Sequence, residues 1–278
     1  MDQNTSKFLQ GKVVFITGSS RGIGRAIALK AAALGANVVI AAKTTEPHAK
    51  LEGTIYSVGD EVSALGVQAL PLQMDIRDDS QIEKGIQQTM NTFGRIDILI
   101  NNASAIDLSP VATIDVKKLD LLLDINIRGT FLMSKLCLPH LKDAENPHIL
   151  TLSPPLNLKP QWFGPHCAYS LSKYGMSLCV MGMAEEFKKF GIAVNALWPI
   201  TTIATAAVNM IGGERLMSAS RKPEIMADAA AAIISRPSRN CTGNFFIDEV
   251  VLREQGMTDF DNYAMQPGGP LWKDLFVE

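Results

Sequence analysis

The chain has 278 residues, of which 47% are hydrophobic and 19% charged, and its formal net charge is −2. This composition is typical of a globular protein with a sizeable core, and the scattered charges exclude the basic stripe that follows a phosphate backbone. No apolar run approaches the roughly 18 residues that span a bilayer. We therefore predict no nucleic-acid partner and no membrane span.

Cysteine spacing and the beginning of the chain limit the compartment and the kind of site. The four cysteines show neither the paired spacing of a metal site nor a disulfide framework, so no metal is predicted. Residues 1–12 lack the apolar segment of a secretory signal. We expect an intracellular, soluble protein, cytoplasmic by default.

Short apolar runs alternate along the chain with longer segments of helical periodicity. The strands are predicted at residues 12–17, 37–42, 67–74, 96–101, 148–152, 192–198 and 244–248. Nearly continuous apolar strands separated by helices are typical of a parallel sheet covered on both faces. The predicted fold class is therefore α/β, with a single doubly wound, Rossmann-like domain of about seven parallel strands and helices on both faces.

The sequence changes character after residue 256. Residues 257–278 are polar, aperiodic and interrupted by proline and glycine. We assign residues 1–256 to one domain and residues 257–278 to a C-terminal tail that packs on the domain or on a partner subunit.

A glycine-rich segment connects the first strand to the first helix. Such glycines let the backbone approach a pyrophosphate closely, and the helix N-terminus supplies free N–H groups, although an ordinary turn would also use glycine. The segment predicted to bind the cofactor consists of Thr17, Gly18, Ser19, Ser20, Arg21, Gly22, Ile23 and Gly24.

The end of the second strand indicates which cofactor is bound. It reads Ala42 and then Lys43, with no carboxylate to hold the ribose hydroxyls of NAD. Lys43 and Arg21 would clamp the 2′-phosphate of NADP, and the alternative is that both are solvated surface cations. We therefore predict NADP(H) as the cofactor.

Tyr169 and Lys173 stand four residues apart in a segment with helical periodicity, so a helix places them on one face. An ammonium group near a phenol lowers the phenol's pKa from its usual value near 10. Tyr169 would then exchange a proton with a carbonyl or alcohol oxygen. Because this spacing is common by chance, a purely structural pair is the alternative.

Several motifs in this order resemble the short-chain dehydrogenase/reductase family over roughly residues 10–250. The motifs are TGSSRGIG (17–24), MDIRD (74–78), NNAS (101–104), DINIRGTF (124–131), YSLSK (169–173) and VNALWP (194–199). Within that family the chain is most similar to the reductase domain of the hydroxysteroid dehydrogenase-like group. The segments VIAAKTTEPHAKLEGTIYS (39–57) and SPPLNL (153–158) carry this closer resemblance.

The resemblance implies roles for the matching residues. Asp75 would hold the adenine amino group, and Asn102 and Ala103 would line the nucleotide's ribose. Asn126 would stabilise a proton-relay water. Asp75 capping a helix and Asn126 being a satisfied buried amide are the alternatives.

The same resemblance has Lys173 binding the nicotinamide ribose as well as acting on Tyr169. Pro199 begins the loop after the sixth strand, which in the family approaches the nicotinamide. Here Ile200 follows, where the family commonly has glycine.

The chain departs from the family pattern before Tyr169. Pro154 stands where the family places a catalytic serine, and Ser153 is the nearby hydroxyl that we carry as the candidate. Four prolines stiffen the following loop. Its apolar side chains would either form a wall of the substrate site or pack on the protein's own core or a partner subunit; they are Leu156, Leu158, Trp162 and Phe163.

The leading functional hypothesis is an NADP(H)-dependent oxidoreductase that acts on a small hydrophobic carbonyl or alcohol. An NADP(H)-binding module with weak or no turnover is the second hypothesis, because the serine is displaced. Two long segments near 115–143 and 165–190 have apolar faces on which family members often pair, so a homo-oligomer is expected.

Overall fold

The computed structural model describes residues 7–48 and 51–278. Residues 1–6, which begin the predicted domain, and residues 49–50 lie outside the described residues. The strands are β1 (Val13–Thr17), β2 (Asn37–Ala42), β3 (Ala69–Gln73), β4 (Ile98–Asn101), β5 (His148–Thr151), β6 (Ala193–Trp198) and β7 (Phe245–Ile247). They form one parallel sheet in the order β3-β2-β1-β4-β5-β6-β7.

Helices connect the strands and cover the sheet. They are α1 (Gly22–Ala33), α2 (Ile55–Ser63), α3 (Asp79–Phe93), α4 (Val116–Leu122), α5 (Thr130–Leu141), α6 (Cys167–Phe187), α7 (Ala206–Ser218), α8 (Glu224–Ile234) and α9 (Asp248–Glu254). A π-helical turn, Leu123–Gly129, joins α4 to α5. Across the described ranges, no helix combines the length and apolar character required to cross a bilayer.

Alternate side chains of β1 enter two different cores. Val14 and Ile16 pack against α1 and α8 on one face, whereas Val13 and Phe15 join α3, α5 and α6 on the other. All four side chains are fully buried. A strand that is apolar at every position suits a sheet buried on both sides. The predicted doubly wound α/β class is confirmed.

The direction in which successive strands are added to the sheet reverses between β1 and β4. From β1 the chain builds outward through β2 and β3, then returns to pair β4 on the other side of β1. The loops that leave these two neighbouring strands therefore diverge and open a crevice at the carboxyl edge. The glycine segment follows β1, and the Asn102 segment follows β4.

The C-terminal segment, residues 257–278, lies against its own domain. The Thr202 backbone N–H donates to the Trp272 carbonyl at 2.9 Å, and the Asp274 N–H donates to the Ile200 carbonyl at 3.1 Å. The indole Nε1 of Trp198 donates to the Leu275 carbonyl at 2.8 Å. These bonds attach the segment to the end of β6 and the loop that follows.

Phe276 anchors this segment in the interior. Its side chain is 1% exposed, and its ring lies within 6.3 Å, centroid to centroid, of five other rings. These belong to Trp162, His166, Tyr169, Tyr174 and Trp198. The cluster thus joins the tail, the proline-rich loop and the start of α6 in one packed unit.

Replacing Phe276 with alanine should therefore destabilise the protein. We expect the free energy of unfolding to fall by about 3–5 kcal/mol, since a buried aromatic side chain would leave a cavity among rigid rings. Urea denaturation followed by circular dichroism measures this change. Leu271→Ala, in the same segment but 38% exposed, is the matched control and should change the value by about 0.5 kcal/mol or less. Equal effects of the two substitutions would contradict the anchoring role.

Candidate active site

The glycine segment brings its backbone unusually close to the loop after β4. Gly18 and Gly22 have φ of +67° and +54°, which L side chains rarely adopt. A Cβ added to Gly18 would lie 2.8 Å from the Cα of Ala103. No side chain caps the N-terminus of α1, so its first N–H groups remain available to an anion.

Thr17 and Asn102 tie these two loops together. The Thr17 hydroxyl accepts hydrogen bonds from the backbone N–H groups of Asn102 at 3.1 Å and Ala103 at 3.0 Å. The Asn102 amide donates to the Thr17 and Gly18 carbonyls at 2.7 and 2.9 Å. Thr17 and Asn102 thus brace the crevice instead of reaching into its centre.

Of the remaining residues of the glycine segment, some support its backbone and others line the crevice. Ser19 is fully buried and donates its hydroxyl to the Ile16 carbonyl at 2.9 Å. A Cβ on Gly24 would collide with the backbone of its own loop. Ser20 and Ile23 instead line a cavity of about 490 Å³ along the crevice.

Asp75 lines the same cavity and is already paired with cations. Arg77 donates to its carboxylate, with Nη2 2.6 Å from Oδ2, and Lys43 Nζ lies 3.7 Å from that oxygen. These hydrogen bonds from Arg77, with Lys43 adding to them, lower the pKa of Asp75 to about 2. The predicted adenine contact would have to be made beside this ion pair.

Arg21 and Lys43 lie at the same end of the cavity. The Arg21 guanidinium donates to the Thr44 hydroxyl at 3.1 Å and to the Glu52 and Gly53 carbonyls at 3.1 and 3.2 Å. Arg21 is therefore held in place by the loop after β2. The Lys43 side chain is 58% exposed and lies beside the Asp75 carboxylate at the rim of the cavity.

Tyr169 and Lys173 share one wall of a second, mostly apolar cavity of about 280 Å³. They lie one turn apart on α6 and are 6% and 2% exposed. Lys173 Nζ donates to the Leu152 carbonyl at 2.6 Å and contacts the Met176 sulfur at 3.3 Å. The structure thus brings the predicted catalytic pair together at a cavity.

The electrostatics of the pair differ from the sequence-based expectation. Burial raises the pKa of Tyr169, and the Asp274 carboxylate raises it further. Burial also lowers the pKa of Lys173 to about 7, so its charge is incomplete at neutral pH. The predicted lowering of the tyrosine pKa is wrong for the protein alone, because desolvation outweighs the attraction of a partly charged ammonium.

Asn126 is a fully buried amide within the π-helical turn. Its Nδ2 donates to the Ala105 carbonyl at 3.0 Å and the Ser172 hydroxyl at 2.9 Å, and its Oδ1 accepts from the Ala105 N–H at 2.8 Å. π-Helical turns are frequent at functional sites. This turn lets Asn126 fasten the loop after β4 to α6.

Ser153 does not reach either cavity. It is fully buried, and its hydroxyl has no hydrogen-bond partner within the described part of the chain. The neighbouring Leu152 lines the Tyr169 cavity instead. Its predicted role beside Tyr169 and Lys173 therefore stays a prediction, made at a residue that lines neither cavity.

The aromatic side chains of the proline-rich loop pack against other rings of the same chain. Phe163 stacks on Tyr174 at 5.0 Å between centroids, and Trp162 lies 6.0 Å from Phe276. Leu158 is 74% exposed. The loop's aromatic side chains thus pack on the protein's own core.

The loop after β6 and the tail supply the cavity wall opposite α6. Pro199 and Thr202 line it, followed by tail residues that the sequence analysis did not single out; these are Trp272, Lys273, Asp274 and Leu275. Burial and the Asp248 carboxyl raise the pKa of Asp274 to about 7, whereas Lys173 lowers it. Nothing in the sequence around Asp274, which lies in an aperiodic tail, indicates that it lines a cavity beside Lys173.

The two cavities adjoin. Both are lined by residues from the glycine segment, the loop after β4 and the start of α7, namely Ile23, Asn102, Ser104, Ala105, Ile106, Thr205 and Ala207. An elongated ligand would therefore extend from the glycine loop to Tyr169. The crevice at the glycine segment is thus continuous with the cavity beside Tyr169.

The chain has clear relatives among known proteins. Over all 278 residues it is 58% identical to hydroxysteroid dehydrogenase-like protein 2 of Danio rerio and covers 66% of that protein's length. A putative dehydrogenase from Xanthomonas campestris has a similar structure, with a TM-score of 0.94 and 51% identity over 97% of this chain and 99% of that one. These similarities agree with the resemblance predicted from the motifs.

A more distant similarity includes a bound cofactor. A metagenomic short-chain oxidoreductase solved in complex with NADP has a TM-score of 0.71 and 26% identity, over 86% of this chain and 97% of that one. Residues 12–214 also match the family model described as short chain dehydrogenase. The chain therefore belongs to the short-chain dehydrogenase family, whose members are oxidoreductases that bind a nicotinamide cofactor.

Proposed function

We propose that the protein is an NADP(H)-dependent oxidoreductase that transfers a hydride between the nicotinamide and a hydrophobic carbonyl or alcohol. The observation that supports this most is the position of Tyr169 and Lys173 on one apolar cavity that continues into the glycine-loop crevice.

The residues present suit the cofactor. At Gly18 the backbone packs so closely against Ala103 that no side chain would fit, and Gly18 and Gly22 line the cavity along the crevice. The N–H groups at the start of α1 would hold the pyrophosphate. Ile23 and Asn102 line both cavities and would flank the middle of the cofactor, with Lys173 at the nicotinamide ribose. Bound there, the nicotinamide would supply a hydride to the substrate carbon or accept one from it.

Tyr169 would move the proton that accompanies this hydride. Its hydroxyl would donate to the substrate oxygen during reduction and take the proton back during oxidation. Because burial raises the pKa of Tyr169, the neutral, proton-donating form prevails at neutral pH. A raised pKa also makes the phenol a weaker acid, so the charge on Lys173 would be needed to stabilise the phenolate that forms.

The cavity beside Tyr169 suits a hydrophobic substrate. Its lining includes Ile106, Leu108, Leu152, Trp198, Ile203, Val208, Ile211, Leu216, Met226 and Leu275. Removing apolar surface from water supplies most of the binding free energy in such a site, while a few polar groups orient the substrate. Tyr169 and Asp274 are two such polar groups.

An NADP(H)-binding module with weak or no turnover is the second candidate function. It is favoured by the burial of Ser153 away from the cavity and by the raised pKa of Tyr169. Both functions require cofactor binding. They differ in whether a panel of hydrophobic carbonyl compounds oxidises NADPH at a rate that depends on Tyr169.

We also propose that the chain forms homo-oligomers through the outer faces of α5 and α6. Phe131, Leu171, Leu178 and Met181 expose between 48% and 58% of their surface there. Contiguous exposed apolar side chains on neighbouring helices are typical of subunit contacts. Analytical ultracentrifugation would detect the association.

Tyr169→Phe should abolish turnover and leave cofactor binding nearly unchanged. We expect kcat for carbonyl reduction to fall by roughly 10²–10⁴-fold, because the proton donor is lost. Stopped-flow absorbance of NADPH measures kcat, and calorimetry measures its Kd. Tyr174→Phe is the matched control, since its hydroxyl donates to the Asn157 carbonyl and is not part of the cavity lining. Equal turnover of Tyr169→Phe and the unaltered chain would disprove the assigned role.

Lys43→Ala should weaken NADPH binding selectively. We expect Kd for NADPH to rise by about tenfold, because a charge-assisted contact to the 2′-phosphate is lost, while Kd for NADH stays within about twofold. Parallel calorimetric titrations with the two cofactors measure both constants. Lys84→Ala, which removes an exposed lysine on α3, should change neither. Equal affinity of the unaltered chain for NADH and NADPH would contradict the predicted cofactor.

A further inference from the structure

The ammonium group of Lys173 is buried without a directly paired anion. In the part of the chain that the structure describes, no carboxylate oxygen lies within 4.0 Å of Nζ. Its contacts are the Leu152 carbonyl, the Met176 sulfur and the face of the Trp198 ring, whose centroid is 5.0 Å away. A buried cation of this kind loses its charge unless a nearby negative group supports it.

The C-terminal segment brings such a group to the same cavity. Asp274 lines the cavity together with Tyr169 and Lys173. Its position is held by its backbone bond to Ile200 and by the bond from the Trp198 indole to the next residue, Leu275. The Leu275 N–H donates to its Oδ1 at 2.6 Å. These hydrogen bonds therefore fix the orientation of the Asp274 carboxyl.

We propose that Asp274 is the counter-charge that favours the protonated form of Lys173, and is thus a positioning residue for proton transfer by Tyr169. This catalytic consequence rests on the function proposed above. The charge coupling itself requires neither cofactor nor substrate.

The charges around Asp274 are few. Lys173 and Tyr169 face it from α6, and Lys273 precedes it in the tail. Asp248 at the start of α9 faces it as a like charge.

Asp248 is itself fully buried, and beyond it Arg221 pairs with Glu249 at 2.6 Å. Asp248 accepts from the backbone N–H groups of Ile200 and Glu249 at 2.9 and 2.7 Å. Repulsion between Asp248 and Asp274 limits the negative charge that Asp274 can present to Lys173.

The acid–base behaviour of the groups agrees with this arrangement. Burial lowers the pKa of Lys173 to about 7, and Asp274 opposes that change. Burial, followed by Asp248, raises the pKa of Asp274 to about 7. Lys173 and Asp274 therefore both change charge near pH 7, so the charge of each affects the protonation of the other in that pH range.

Asp274→Asn should lower the proton affinity of Lys173. Using ¹³Cε-labelled lysine, with the Lys173 resonance assigned by its loss in Lys173→Arg, we expect the NMR titration midpoint to fall by about one pH unit. The charged fraction at pH 7 then falls about fivefold. Asp248→Asn should shift the midpoint upward, because Asp274 then ionises more readily. Glu278→Gln, which removes an exposed tail carboxylate paired with Lys159, should leave it unchanged.

A Lys173 midpoint that stays the same in a folded Asp274→Asn protein would overturn the proposal, whether or not the protein turns over a carbonyl substrate. If Asp274→Asn does not fold, the reciprocal measurement decides, since coupling between two sites acts equally in both directions. The ¹³Cγ midpoint of Asp274 should then rise in Lys173→Met, and an unchanged midpoint there would refute the coupling.

Discussion

The burial of Lys173 is the constraint on which the rest of the site depends. Its ammonium donates to the Leu152 carbonyl at the carboxyl end of β5, and Tyr169, one turn away on α6, lines the same cavity. Because the group is almost fully desolvated, its charge depends on every nearby dipole and carboxylate. The same desolvation strengthens every charge interaction in the cavity, since electrostatic effects are strongest where water is excluded.

The C-terminal segment completes the site that the sheet begins. Phe276 fills the aromatic cluster beneath the start of α6, and this anchor places Asp274 against the cavity. Loss of the Phe276 anchor would therefore both destabilise the fold and move the Asp274 carboxyl away from Lys173.

Much of the cofactor half could be predicted from local sequence. The glycine segment and the pairing of Tyr169 with Lys173 each follow from neighbouring residues in one turn or helix, so their relative positions need no long-range information. The role of Asn102 followed only from the family resemblance. Ser153 and Asn126 show the limit of that reasoning. Whether a hydroxyl faces a cavity, or an amide is already bonded, depends on packing from segments far away in the chain. The same holds for Asp274, whose surroundings come from α6, α9 and the loop after β6.

The sequence by itself determined the alternating strands, the doubly wound fold and the family, because apolar periodicity and motif spacing are properties of contiguous residues. The tertiary structure alone decided the electrostatics of the site. Burial set the proton affinities of Tyr169 and Lys173, and the docking of residues 257–278 brought in the carboxylate that opposes that effect for the lysine. Burial and the distances between charges depend on the three-dimensional structure, so the sequence alone does not predict them.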